Sequence, residues 1–300
     1  MQFVKPMPFA EAIEKLGSQS PIGAALSSSE WADLPVELRE SALFSAYVED
    51  LRFLQRVQDS LGDFLASNVK TLDDGQTLLA TGSRAAFVEQ MQSFLTGAGV
   101  HRTDGGLTDI SSELRLGLIF NIKTQQAADF GYYRQGMNPD VLNEFPASRF
   151  IRVKDVKEPR QAHEQFQDQV YLKTDPIWAR FINKDFGVPW GPWGWGCGHD
   201  VEDVDRDEAQ SLGLIKRGQT VEQVSRANGW KPQTKFFNQN LQASAYGIQP
   251  ELLDKMKQVF GELITIEDDV IYWTALKDSI EKKAAQISQD ISDPTVDAGL

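Results

Sequence analysis

The chain has 300 residues, 41% of them hydrophobic and 24% charged, with a formal net charge of -13. That is enough apolar material for a substantial core in one large domain or two smaller ones. The negative balance argues against a general electrostatic grip on DNA, which needs Lys and Arg to release counterions, and leaves a local basic patch as the one route to DNA contact. One cysteine excludes an internal disulfide and fits a reducing compartment. The opening residues lack the pattern of a secretory signal, no apolar run reaches the roughly 18 residues that cross a bilayer, and no membrane contact is expected.

Residues 8–17 predict a short helix ended by Gly17, followed by a Ser/Pro/Gly-rich loop to about Ser29. From Pro35 a single long helix is expected to about Ala66, because Val36, Leu43, Phe44, Tyr47, Leu51, Leu54, Val57, Leu61 and Leu65 recur every three or four residues. Residues 71–82 look like a loop. Ser83 is placed to cap a helix carrying Phe87, Val88, Met91 and Phe94, and a third helix is expected from about Ser111 to Gln135, although Gly117 and Gly131 weaken it. His101, between those helices, reads as a solvated surface histidine. Asn138-Pro139 opens a short helix as cap and first-turn proline.

After Phe145 the texture changes. Arg149–Lys154 and Gln169–Lys173 alternate like strands, while residues 184–198 hold too much Gly and Pro for regular structure. Asp205 and Thr220 each begin a capping box, and Gly213 ends the first of the two helices. Pro250 opens a helix bearing Leu252, Leu253, Met256 and Phe260. Leu263–Ile266 and Val270–Trp273 form either a hairpin or a strand running into a helix. The end, after about Lys282, is too polar to bury much and is expected to fray.

The rare residues concentrate between Phe145 and Leu214: Cys197, His163 and His199 fall there with Trp178, Trp190, Trp193 and Trp195. Cys197 and His199 can face one ion, with His163 closing on it and Asp155, Asp200 or water as fourth ligand, a set that suits zinc. The spacing matches no standard zinc finger, and the alternative is that Cys197 is a small buried hydrophobe and His199 a hydrogen-bonded loop residue. A thiol nucleophile is a weaker reading, because the surroundings of Cys197 are not a helix start. Asp203, Asp205 and Asp207 have the acid spacing of a calcium loop, but Glu208 and Leu214 stand where Gly and a bidentate Glu are required, so an N-cap explains them better. The tryptophans either rigidify the Gly-rich loop or offer a binding platform. Arg149, Arg152, Lys154, Lys157 and Arg160 are expected to pair with the acids at 200–208.

The order Asp155, Arg160, His163, Asp175, Trp178, then a Pro-rich loop into Trp195-Gly196-Cys197, resembles the phage head morphogenesis family, the minor head proteins related to the F protein of phage Mu. The resemblance covers about residues 110–215 and more loosely 35–65. It departs where the family has a second cysteine and an arginine: here stand His199 and Gly198. The resemblance implies a low-copy component of the virion interior, assembled in the host cytoplasm, that docks on the portal protein and inner capsid and acts in procapsid assembly. Trp178, Trp190, Trp193, Trp195 and Arg160 become the candidate interaction residues; His163, Cys197 and His199, with Asp155, are the candidate metal ligands.

The expected fold is α+β and predominantly helical: a helical region over 1–110, a small β-containing motif region over 111–215, and a helical extension over 216–300. The rival functions are a metal-dependent hydrolase built on His163, Cys197 and His199, and an effector delivered to the host with the genome.

Overall fold

The computed structural model describes residues 10–66, 70–71, 77–78, 84–100, 105–156, 160–194, 197–228, 242–246, 248–260 and 264–273. His101, Trp195 and the tail after Lys282 lie outside them. The fold is mixed α+β. No helix of the described residues is long and apolar enough to cross a membrane. The chain divides into two compact units, Met1–Ser18 with Asp50–Thr234 and Gln19–Glu49 with Lys235–Leu300. This differs from three consecutive regions, because segments distant in sequence share a core in each unit.

The first unit begins with four helices, Ala10–Ser18, Leu51–Ala66, Arg84–Gly97 and Glu113–Gly136, that pack on one another. Leu54, Val57, Leu61 and Leu65 form one buried stripe, and Phe87, Val88, Met91 and Leu95 another. Each such side chain contributes about 1.5–3 kcal/mol on burial. Phe120 joins the stripes, with its ring centroid 4.8 Å from Phe64 and 5.3 Å from Phe87. The helix expected over about 111–135 forms as Glu113–Gly136 and is unbroken at Gly117. The Arg84 guanidinium lies where a Cβ at Gly117 would sit, so the glycine makes room for a neighbour inside a continuous helix. The first helix likewise runs through Gly17 to Ser18.

Asn138 caps the short helix Pro139–Glu144, with its side chain accepting from the Asp140 N–H. The chain then enters a three-stranded antiparallel sheet. Its central strand is Ala147–Arg152, flanked by Val170–Leu172 and His199–Val204. Alternation divides the sheet's side chains. Ala147, Leu172 and Val204 pack with Leu142, Ala209, Ile215 and Val221 on one side. Phe150 and Val201, which pair across the ladder, face Trp178, Ile182, Trp193 and Cys197 on the other. The strand His199–Val204 was not anticipated: its run of acids masks the alternation, and its partner strand is some fifty residues earlier.

The second unit corrects the long helix expected over 35–66. The helix from Pro35 stops at Ser41, and Ala42–Leu43 pairs in parallel with Ser20–Pro21. Tyr47 has φ +58° and is exposed. A new helix starts at Leu51, where Asp50 Oδ1 accepts from the N–H groups of Arg52 (2.8 Å) and Phe53 (3.3 Å). The apolar spacing carries across this break, so periodicity alone could not see it; Asp50 was the usable signal. A short helix, Ser28–Ala32, carries a full capping box between Ser27 and Glu30. The unit's core joins Ile22, Leu26, Leu34, Leu38 and Phe44 to Met256 of the helix Pro250–Phe260 and Ile271 of a sheet. In that sheet Val270–Trp273 lies between Ile264–Glu267 and Gln242–Ser244, which resolves the open choice in favour of a hairpin. Asp268 and Asp269 turn it with φ of +49° and +59°, a left-handed pair that Asp tolerates better than most residues.

Candidate functional site

The sheet face around Phe150 gathers most of the residues singled out above. His163 comes from the single-turn helix Gln161–Glu164, and Cys197 and His199 from the entry into the third strand. Cys197 and His199 flank a turn that brings their side chains together. The turn between them needs Gly198: its φ is +70°, and a Cβ there would overlap the Lys154 carbonyl oxygen. That carbonyl-side approach also lets Gly198 O accept from the N–H groups of Val153 (2.9 Å) and Lys154 (3.0 Å). Glycine at 198 is therefore demanded by the backbone.

His163, Cys197 and His199 are 4%, 4% and 2% exposed, and one ligand atom from each lies within 4.8 Å of the others. The His199 ring stacks on Phe150 at 4.6 Å, and the His163 ring stands edge-on to it at 5.5 Å from His199. His163 Nε2 is 2.9 Å from the Ile182 carbonyl oxygen and so carries the proton that donates to it. His163 Nδ1 and both ring nitrogens of His199 lack a hydrogen-bond partner. The Cys197 backbone is near enough to favour a charged His199 slightly without hydrogen-bonding geometry.

Burial, reinforced by the Arg152 and His163 charges, pushes His199 down to about 4. Burial also lowers His163, against the opposing pull of the Ile182 carbonyl. It raises the Cys197 thiol. At neutral pH both imidazoles are therefore neutral and able to act as ligands. Asp155 does not join them. It is exposed, beside Arg152, Glu164, Gln167 and Asp168, so its expected place as a fourth ligand is corrected.

The expected docking platform is also corrected. Trp178, Trp190 and Trp193 are 2%, 3% and 3% exposed and fill the core, where Phe186 and Val188 of the Gly-rich loop are buried as well. Trp178 Nε1 donates to the Leu172 carbonyl at 2.8 Å, and its ring meets Trp193 at 5.3 Å. Trp190 packs on Phe130 and Tyr133 of the long helix, at 5.1 and 5.0 Å. Asp175 Oδ1 accepts from the Ile177 N–H at 2.8 Å and so holds the π-helical turn Trp178–Ile182. Arg160 pairs with Asp185 and lies against Gly194, whose φ is +140°. It clamps the loop from within the unit. The expected charge pairing holds for Arg149, which meets Glu202 and Glu208.

One feature was not anticipated. Between the long helix, the loop and the sheet lies a cavity of about 40 Å³, lined by Asp129, Tyr132, Tyr133, Lys173, Trp190 and Asp200 among others. Space of that size admits ordered water but no substrate of any length. Burial, with the nearby Asp200 charge, pushes the Asp129 carboxyl up to about 7. Lys173, 7% exposed, is paired with Asp203 at 2.7 Å. Asp129 sits on a helix and Asp200 on a strand some seventy residues later, so no spacing in the sequence could have linked them.

Comparison with known proteins finds no matching family model, no matching curated protein and no matching solved structure.

Proposed function

We propose that this chain is a phage minor head protein: a low-copy component of the head interior that docks on the portal and inner capsid during procapsid assembly. The observation that carries the reading is where the motif residues lie. His163, Trp178 and Cys197 meet at Phe150 on one side of the strand Ala147–Arg152, Arg160 and Asp175 hold the neighbouring loop and turn, and of the motif's described residues only Asp155 is exposed. A motif most of whose members hold local structure supports a scaffold whose outer surface does the work. Net charge of -13 favours docking to protein over wrapping DNA.

The hydrolase alternative needs substrate to reach the His/Cys/His group. With those three side chains 4%, 4% and 2% exposed, the geometry supports that reading less well. No observation favours the host-directed effector.

The test is co-expression of the full chain with the portal and major capsid proteins of the phage that encodes it. The expected result is that the chain sediments with portal-containing procapsids in substoichiometric amount relative to the capsid protein. Procapsids that assemble normally and never contain the chain would overturn the reading.

A further inference from the structure

We propose that His163, Cys197 and His199 bind a zinc ion that fastens the Trp/Gly/Pro loop to the sheet. The inference stands on the geometry of these three side chains and does not depend on the head-protein reading.

Three observations carry it. First, one ligand atom from each residue lies within 4.8 Å of the others. Zinc bonds of about 2.0–2.1 Å to nitrogen and 2.3 Å to sulfur put tetrahedral ligand atoms somewhat closer together than that, so modest side-chain movement completes the site. Second, the tautomer of His163 is set. Nε2–H donates to the Ile182 carbonyl at 2.9 Å, which leaves the lone pair on Nδ1, and Nδ1 has no partner. An imidazole oriented by a carbonyl through its other nitrogen is the usual outer-shell arrangement of a metal-bound histidine. Third, His199 is 2% exposed and neither of its ring nitrogens is hydrogen-bonded. A buried imidazole with both polar atoms unsatisfied is costly, and a metal at one nitrogen removes about half of that cost. The alternative of a hydrogen-bonded loop histidine is not what the structure contains.

The donor set chooses the metal class. Two neutral imidazoles and a thiolate suit zinc, and not magnesium or calcium, which take oxygen. On binding, the Cys197 thiol gives up its proton to solvent and the thiolate becomes the ligand. Among the described residues three ligands are at hand, which leaves one coordination position to an exogenous ligand, and the burial of all three side chains shields that position from bulk solvent. Its mechanical effect follows from where the ligands sit. His163 belongs to the connection between the first two strands, and Cys197 and His199 to the junction of the loop with the third. One ion therefore ties two connections together.

The experiment is metal analysis of the purified full chain, produced with zinc in the medium, beside Cys197→Ser, His199→Ala and Asp155→Asn. About one zinc per chain is expected in the parent and in Asp155→Asn, falling to near zero in the other two. Should the ligand variants not fold, cobalt exchange into the parent gives the second readout. A thiolate-to-cobalt charge-transfer band and tetrahedral visible absorption are expected, and ¹⁵N spectra of the imidazoles should show His163 bound through Nδ1. A parent chain that carries no zinc and takes up neither zinc nor cobalt overturns the proposal, as does zinc retained in folded Cys197→Ser. Both results are read on the isolated chain, so they leave association with a portal to be decided separately.

Discussion

The cores of the two units are made of different material. In the second, Ile22, Leu26, Leu34, Leu38, Phe44, Met256 and Ile271 pack together, and Trp31 stacks on Phe44 at 4.0 Å. Its buried polar side chains among the described residues are the small serines Ser20, Ser41 and Ser45, and its charged groups stay nearer the surface, as in the capping box of Ser27 and the pair between Glu30 and Lys255. The core under Phe150 is aromatic and carries two imidazoles, a thiol and an indole N–H. Polar groups in a core weaken it unless something satisfies them. The second unit is explained by burial alone, whereas the first retains groups that burial does not explain, and those are the ones that point to a ligand.

The contrast is broken most directly at Phe150, fully buried and in ring contact with His163, His199, Trp178 and Trp193. Phe150→Ala is expected to cost about 3–5 kcal/mol in urea unfolding. A loss under 1 kcal/mol would mean that the rings do not depend on one another. In the second unit Met256→Ala, at a site with no exposure, is expected to cost about 2–4 kcal/mol. The loss there should be the same with and without chelator; dependence on chelator would deny the distinction between the cores.

Gly198→Ala forces a Cβ into left-handed backbone and against the Lys154 carbonyl, for an expected loss of about 2–3 kcal/mol. An alanine variant with the parent's melting temperature would show that the turn before His199 is not constrained.

Asp129 sharpens the comparison through pH. Its folded carboxyl is raised to about 7, against an unfolded value near 3.9. Between those values the native state holds the extra proton, so the Asp129 contribution falls as pH rises from about 4 through 7 and is lowest above 7. Asp129→Asn should gain on the order of 1–2 kcal/mol over the parent at pH 8 compared with pH 4. Parallel pH profiles for the two proteins would sink the assignment. The smallest effect belongs to a local signal: Asp205→Ala, which removes the side-chain cap on the Glu208 N–H, should cost about 1 kcal/mol wherever the cores stand.

Much of the local structure was legible because its causes are local. Asn138, Asp205 and Thr220 cap helices where their own side chains can reach the next turn, and Gly213 leaves its helix with φ +74°. The break after Ser41 was not legible, since apolar spacing continues through it while the chain changes units. The candidate site was half legible. His163, Cys197 and His199 stood out as rare residues near one another in sequence, but Asp155 did too, and only its exposure removes it. Trp190 and Trp193 are buried as a loop-fixing cluster requires and, with Trp178, are not placed for a docking surface, because sequence does not say which way a side chain points.

What the sequence determined by itself is therefore the helix caps at Asn138, Asp205 and Thr220, the helix-ending Gly213, the material for an aromatic core and the residue types that can hold a metal. The tertiary structure alone decided that the acidic segment His199–Val204 is a strand, that Asp129 lies beside Asp200, and that both ring nitrogens of His199 are buried without partners. The reason is the range of the interactions. Caps and turns are settled within four residues, whereas strand pairing, desolvation and ligand geometry depend on groups that meet only when distant segments pack.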